Sequence, residues 1–209
     1  MNIAEIEILY SDKQLIIVNK PAGLLSVPGV GPDKRDCVVT RLQPHYPTLR
    51  IVHRLDCATS GLMVLALDAQ THRELSRQFH DREVEKTYLA VVDGLLENDQ
   101  GSVCEPLICD WPNRPRQIVH VSGKPALTHY LCRSRLLDRS RVELSPHTGR
   151  SHQLRVHMQF IGHPILGDTL YAPESARAAS SRLLLHATAL TFHHPETQQC
   201  MEFVSDAPF

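Results

Sequence analysis

The apolar run Leu62–Leu67 (LMVLAL) is the feature that most constrains this fold. An unbroken apolar stretch of this length is typical of a β-strand that is buried on both faces. The polar segment His53–Asp56 (HRLD) and a Thr-Ser-Gly turn precede it. Polar residues just before a buried strand lie at a sheet edge, where a rigid core can hold them in a cleft. Asp56 is therefore either a turn residue or a reactive carboxylate, and this segment alone leaves both interpretations open.

The composition is that of an ordinary globular protein, and we expect it in the cytoplasm. The chain has 209 residues, of which 42% are hydrophobic and 22% are charged, as in an average soluble domain. No apolar run approaches the roughly 20 residues of a membrane-spanning helix, and the acidic, alternating N-terminal sequence is unlike a signal peptide. The six cysteines form no C-x-x-C pair and the 13 histidines lack zinc-type spacing. We therefore expect reduced thiols and no metal site.

The basic side chains are mainly arginines, although the formal net charge is only −1. Of the 22 lysines and arginines, five are lysines, so the other 17 are arginines. The planar guanidinium group suits phosphates and base edges, and it stacks on flat rings. A local basic cleft for nucleic acid and a set of solvated surface charges are both compatible with this composition.

The hydrophobic periodicity predicts an α+β protein with many strands and few helices. Besides LMVLAL, strands are predicted at IEILY, QLIIVNK, KTYLAVVDG, ALTHYLCRSRLL, RVELSP and RLLLHATALTF. Helices are predicted at CVVTRLQPHYP, where Pro44 ends the helix, and at AQTHRELSRQFHDREV. The segment NKPAGLLSVPGVGP, which includes Pro32, is predicted to be a loop. No linker-like stretch or internal repeat divides the chain, so we expect residues 1–209 to form a single domain of catalytic size.

Two helical segments leave alternatives open. The second predicted helix carries Arg73, Arg77 and His80 on one face, which is either solvated or lies along a phosphate backbone. The segment TGRSHQLRVHMQFIGHPILGD alternates as in a strand, yet its apolar residues also fit a helix. We predict a helix there, because Ser151 as N-cap and Gly162 as stop bracket it correctly.

Three polar clusters carry residue types that are suited to chemistry. They contain His53-Arg54-Leu55-Asp56, Lys86-Thr87-Tyr88, and the pair Arg150 and Arg155. HRLD also occurs in protein kinases, but a kinase needs Asn five residues after the Asp, and position 61 is Gly. A lone carboxylate is a poor acid–base pair for glycoside hydrolysis, but it serves as a nucleophile when an arginine keeps it ionised. Tyr88 is either a core aromatic of its strand or a residue that stacks on a planar ring.

Three motifs of the chain resemble those of the RluA-type family of RNA pseudouridine synthases. They are HRLDCATSGLMVLA, EKTYLAVV, and TGRSHQLRVHM followed by GHPILGD. The resemblance extends from IVNKPAGLLSVPG to RLLLHA and is far more specific than any single motif. It implies a mixed, mostly antiparallel sheet with flanking helices and a central RNA-binding cleft. Family members often carry an N-terminal S4 RNA-binding domain, and we expect none in this chain.

The resemblance also implies roles for individual residues. Asp56 matches the catalytic aspartate, Tyr88 the tyrosine that packs on the target uracil, and Arg155 the arginine that pairs with the aspartate. Arg54 matches a motif arginine that we expect against the RNA near the vacated stack, and Leu185 matches an apolar residue lining the uracil pocket. The other residues that we expect to contact RNA are His53, Arg150, Arg73 and Arg77.

The implied reaction is the isomerisation of uridine to pseudouridine in RNA, without a cofactor. The segments LICDWPNRPRQ and GKPALTHY are similar to those of family members that act on 23S ribosomal RNA and on the anticodon stem-loop of transfer RNA. We therefore expect a monomeric cytoplasmic enzyme that acts on a flipped-out uridine in both RNAs. The alternatives are an enzyme that acts on only one of these RNAs and a non-catalytic protein that binds structured RNA.

Overall fold

The structure, a computed structural model, describes residues 5–31 and 34–209; Pro32 of the predicted loop lies outside the described residues. The chain divides into two compact units. Of the described residues, the first unit takes 5–31, 34–86 and 187–208, and the second takes 87–186 and 209. The chain passes from one unit to the other inside two strands, β5 (Glu85–Asp93) and β11 (Leu185–His193). The single domain expected from the sequence remains a prediction.

The first unit is built on a sheet whose central strand is the apolar run. This central strand is β4 (Ser60–Ala66), and the other strands of the sheet are β1 (Glu7–Ser11), β2 (Leu15–Lys20), β3 (Arg50–Ile51), β12 (Cys200–Val204) and most of β11. The order is β1-β2-β4-β11, with β3 paired to β4 and β12 paired to β11. All seven residues of β4 are buried, which confirms the strand predicted at LMVLAL. Residues of β2 and β4 pair in antiparallel register, as at Asn19 and Leu62.

Two helices of the first unit confirm the helices predicted before and after the HRLD segment. They are α1 (Val38–Leu42) and α2 (Ala69–Asp81). The carboxylate of Asp68 begins α2 by accepting hydrogen bonds from the backbone N–H groups of Gln70 and Thr71. Leu75 of α2 is fully buried in a core that also contains Leu62 and Phe192. Helix α2 therefore packs on β4 and β11 of this unit.

The second unit holds a four-stranded antiparallel sheet, a two-stranded ribbon and two helices. Its strands are β6 (Gln100–Val103), β7 (Leu107–Cys109), β8 (Gln117–Val119), β9 (Thr128–Leu136) and β10 (Arg139–Pro146), together with most of β5. The sheet order is β5-β10-β9-β6, and β7 pairs with β8. These strands and the first unit's sheet confirm the α+β class and its largely antiparallel pairing.

The ambiguous segment is helical in the second unit, as predicted. Its helix is α3 (Gln153–Phe160), and a shorter helix, α4 (Glu174–Ala178), follows. The predicted N-cap was wrong, because the residue before α3 is His152, in a left-handed conformation with φ 54°, and not Ser151. Gly162 follows the end of α3 with φ +86°, which suits its predicted role as the stop. Within the described residues, no helix is both long and apolar enough to cross a bilayer.

Candidate active site

The loop between β3 and β4 presents Asp56 at the entrance to the most buried strand of the first unit. The side chain of Asp56 is half-buried. Its backbone carbonyl accepts a hydrogen bond from the N–H of Thr59 at 3.1 Å, which closes a tight turn. Thr59 and Ser60 are buried, so the chain enters the core directly after the carboxylate. Asp56 is thus both a turn residue and a carboxylate that is partly open to solvent.

The residues on both sides of Asp56 are pinned through their backbone groups. The Ser26 hydroxyl donates to the carbonyl of Leu55 at 2.7 Å and accepts from the N–H of Leu55 at 3.1 Å. On the other side, the carbonyl of Cys57 accepts from the N–H of Gly23 at 2.8 Å. Such support fixes the position of a carboxylate before any substrate is bound, which is a requirement for efficient catalysis.

A fully buried lysine completes this support. The ammonium group of Lys20 donates to the carbonyls of Pro21 at 2.9 Å, Leu24 at 2.7 Å and Cys57 at 3.2 Å. An ammonium group has three N–H donors, and each of these carbonyls is a suitable acceptor. Lys20 therefore joins the end of β2, the loop that follows it and the residue after Asp56.

His53 is held inside the first unit by its own contacts. Its Nε2 accepts a hydrogen bond from the backbone N–H of Val64 at 3.1 Å. The imidazole stacks on Phe79 with the ring centres 4.6 Å apart. Burial, with a smaller effect of the Lys86 ammonium, lowers the pKa of His53 to about 3. His53 is therefore neutral at physiological pH and supports the loop and β4, whereas its neighbour Arg54 is exposed.

Arg155 is a buried cation of the second unit. It lies on α3, is only 4% exposed, and pairs with Asp168, which is fully buried. The pair is bidentate: Nε and Nη2 donate to the two carboxylate oxygens, each at 2.7 Å. Asp168 also accepts from the backbone N–H groups of Leu170 and Tyr171 at 2.9 and 3.2 Å. The charge and direction of this guanidinium are thus fixed by a satisfied, buried partner.

The ring of Tyr171 supports Arg155 from a second direction. The Arg155 guanidinium lies 5.0 Å from the centre of this ring, and the Arg116 guanidinium lies 5.5 Å from it. The Tyr171 hydroxyl accepts a hydrogen bond from the N–H of Gln117 at 2.8 Å and pairs with Nδ1 of His152 at 2.6 Å. Cation–π contacts of this kind are attractive and orient the guanidinium plane.

Two further predicted residues lie on strands of the second unit. Tyr88 is half-buried in β5, opposite Leu144 of β10. Leu185 opens β11 and is 3% exposed. Arg150 is half-buried, and its Nε donates to the carbonyl of Pro125 at 3.0 Å. The roles expected for these side chains toward RNA remain predictions.

The basic face predicted on α2 is less basic than its sequence indicates. Arg77 is paired with Glu74, Asp81 and Glu83, at 2.7, 3.1 and 2.9 Å. Three carboxylates around one guanidinium offset its attraction for a phosphate. The contacts of Arg77 therefore favour the solvated-face interpretation, whereas Arg73 is exposed, as an RNA contact would require.

The chain matches the family model described as RNA pseudouridylate synthase over residues 14–160. This span is well over half of the sequence. The chain belongs to the RNA pseudouridylate synthase family. The reaction of this family is the isomerisation of uridine to pseudouridine in RNA, so the chain is an isomerase that acts on RNA.

Individual members of the family match the chain along almost its whole length. The "Dual-specificity RNA pseudouridine synthase RluA" of Yersinia pestis is 55% identical over 97% of this chain and 99% of the relative. The protein of the same name from Escherichia coli K12 is 53% identical over 97% of this chain and 93% of the relative. The solved structure of human RNA Pseudouridylate Synthase Domain Containing 1 covers 100% of this chain and 86% of its own, with 29% identity and a TM-score of 0.84.

Three supporting residues of this family member were missed by the sequence analysis. Lys20 was placed only at the junction of the predicted strand QLIIVNK and the predicted loop, and no buried role was predicted for it. A lysine that ends a buried strand is a signal for a buried ammonium group, since charged residues are rarely buried without partners. Asp168 ends the motif segment GHPILGD, but neither it nor Tyr171 could be linked to Arg155, because the contacts join positions 13 and 16 residues apart in the sequence.

Proposed function

We propose that this chain converts one uridine in 23S ribosomal RNA and one in the anticodon stem-loop of transfer RNA to pseudouridine. The observation that carries the proposal is the match, at 55% and 53% identity over 97% of the chain, to two relatives named as dual-specificity enzymes. Loops of small stem-loops are suitable targets, because their bases are already partly unstacked. The proposal includes a monomer that works in the cytoplasm, where both RNAs occur.

The proposed chemistry assigns Asp56 as the nucleophile or base. The N1–C1′ bond of the flipped-out uridine breaks, the uracil turns, and a C5–C1′ bond forms. C5 loses its proton and N1 gains one from solvent, so the product is an isomer of uridine. The backbone support of Leu55 and Cys57 favours a carboxylate held in one position. Arg155 is proposed to keep Asp56 ionised, because a neighbouring guanidinium favours a charged carboxylate. Tyr88 is proposed to stack on the detached uracil and to accept the C5 proton.

The proposal is tested with purified protein and unmodified RNAs, without added metal or nucleotide. Pseudouridine is mapped at nucleotide resolution in 23S ribosomal RNA and in transfer RNA. We expect conversion at one loop uridine in each RNA and none with Asp56→Asn, whereas RNA binding by this variant survives. Asp138→Asn makes the same chemical change at a carboxylate that is 75% exposed in the β9–β10 turn, and it should leave conversion unchanged.

Each other outcome removes a defined part of the proposal. Conversion in only one RNA would keep the enzyme and reject dual specificity. Tight RNA binding without conversion would favour the non-catalytic RNA-binding protein. Conversion by Asp56→Asn would reject the aspartate mechanism, and an unchanged rate for Tyr88→Phe would remove the tyrosine as the base. A mass of two chains in light scattering would reject the monomer.

A further inference from the structure

The single tryptophan of the chain lies on an exposed corner of the second unit. Trp111 begins a short 3-10 helix, Trp111–Asn113, between β7 and β8, and it is 66% exposed. The guanidinium of Arg114 lies 4.9 Å from the centre of the indole ring. Indole is the side-chain ring that attracts cations best. Trp111 and Arg114 therefore form a flat, ordered pair that is open to solvent, which we call the indole platform.

The loop that carries the indole platform is held by its own hydrogen bonds. The N–H of Asp110 donates to the carbonyl of Arg116 at 2.9 Å, and the N–H of Arg116 donates to the carbonyl of Asn113 at 3.1 Å. The side-chain amide of Asn113 donates to the Asp110 carboxylate at 3.0 Å. The loop thus has two arginines and one engaged carboxylate, which leaves it positively charged and complementary to a polyanion.

The same loop is joined to the arginine that matches the family's catalytic arginine. The N–H of Gln117, at the start of β8, donates to the Tyr171 hydroxyl at 2.8 Å. The Arg116 guanidinium lies 5.5 Å from the centre of the Tyr171 ring, and the Arg155 guanidinium lies 5.0 Å from the same centre. The indole platform therefore belongs to the structure that supports Arg155, within a single unit.

We propose that the indole platform stacks an unpaired base of the RNA substrate. The proposal rests on the function proposed above and adds a specific contact to it. Unpaired RNA bases stack on aromatic rings and on guanidinium planes, and the platform offers both. A protein partner would instead be expected at a broad apolar patch, whereas polar residues lie close to Trp111 in the loop, with Asp110 before it and Asn113 and Arg114 after Pro112. The positive charge of the loop also favours RNA, because RNA is a polyanion.

The lone indole makes the contact directly measurable, because every change in tryptophan emission reports Trp111. Wild-type protein is titrated with an unmodified transfer-RNA anticodon stem-loop, and with a fully paired RNA duplex that has the same number of phosphates. A base that stacks on the indole quenches its emission. We expect strong, saturable quenching with the stem-loop and little with the duplex, since the duplex has no unpaired base to offer.

Substitutions then measure the contribution of the platform to binding. Trp111→Ala should raise the dissociation constant for the stem-loop by about 5- to 150-fold, which corresponds to the ~1–3 kcal/mol of one base–aromatic stack. Trp111→Phe should restore most of this loss, and Arg114→Gln should reduce the slope of log Kd against log salt by roughly one phosphate contact. Leu137→Ala is the matched control, because Leu137 is apolar and 85% exposed on another turn of the same unit.

The outcomes separate this inference from the proposed function, because pseudouridine formation by the wild type is measured in parallel. Active wild type with equal quenching by both RNAs, or with Trp111→Ala binding as tightly as Leu137→Ala, overturns the platform and leaves the function intact. Inactive wild type rejects the function by itself. A third outcome would point to a second copy of the chain. In that case the tryptophan emission shifts with protein concentration alone, and Trp111→Ala abolishes a dimer. This result overturns the proposal.

Discussion

Replacement of Asp168 by Asn tests how Arg155 is held. The carboxylate accepts four hydrogen bonds, two from Arg155 and one each from the N–H groups of Leu170 and Tyr171. Asn keeps one oxygen, but its NH2 group would face a guanidinium donor. One charge-assisted bond, worth about 1.5–3 kcal/mol, is lost. Arg155, only 4% exposed, also loses the buried carboxylate that binds it through two hydrogen bonds. Removal of one partner of a buried ion pair costs about 3–5 kcal/mol in total.

Urea unfolding at neutral pH measures this loss as a change in the free energy of unfolding. We expect Asp168→Asn to lower it by about 3–5 kcal/mol, against less than about 0.5 kcal/mol for the exposed control Asp138→Asn. Arg155→Met should also destabilise the protein, and the double variant should be more stable than the sum of both changes predicts, by about 1–3 kcal/mol. Strict additivity, or a loss below about 1 kcal/mol for Asp168→Asn, would refute the argument that this buried ion pair stabilises the protein.

Three further predictions concern the support of Asp56. Lys20→Met should lower the free energy of unfolding by about 2–5 kcal/mol and reduce pseudouridine formation, because three carbonyls lose a donor. If this variant were as stable as Lys13→Met, a change at an exposed lysine, the prediction would be wrong. Gly61→Ala should cost more than about 3 kcal/mol in urea unfolding, since its φ is +116° and a Cβ would lie 2.3 Å from the Ala187 carbonyl oxygen, whereas Gly149→Ala meets nothing within 4 Å. The neutral His53 of the folded state, with its pKa lowered to about 3, binds a proton in the unfolded chain near pH 6.5; stability should therefore be complete above pH 6.5 and fall by about 2–4 kcal/mol toward pH 3. His53→Gln should flatten this dependence, and a curve parallel to that of the exposed His80→Gln would disprove it.

Strong periodicity made the central elements predictable from sequence. The run at β4 is buried along its whole length, and α2 begins at Asp68, an acceptor suited to an N-cap. Short, half-exposed elements were missed, such as β7 and β8 with three residues each. A three-residue strand carries too little pattern to distinguish it from a loop. The N-cap of α3 was missed because His152 adopts a left-handed conformation that glycine or asparagine would normally signal.

The division into two units was also invisible in the sequence, for a structural reason. Domain boundaries are usually recognised by polar, flexible linkers. Here the chain leaves the first unit after Lys86 and returns at Ala187, and both positions lie inside regular strands. Strand residues at these points are chosen for pairing and burial, so no composition change marks them. The absence of a linker-like stretch in the sequence therefore did not show how many compact units the chain forms.

The two units hold their candidate catalytic residues by different physical means. In the first unit, Asp56 is flanked by neighbours whose backbone groups are fixed by Ser26 and Lys20, while the carboxylate itself stays half-exposed. In the second unit, Arg155 is fixed through its own side chain, by Asp168. Asp56 is the proposed nucleophile or base, and these backbone contacts of its neighbours fix its position without using its carboxylate oxygens. A guanidinium has five N–H donors, so Arg155 can give two to Asp168 and still serve as an electrostatic partner. Loss of Lys20 should therefore shift the position of Asp56, whereas loss of Asp168 should leave the Arg155 guanidinium less firmly oriented.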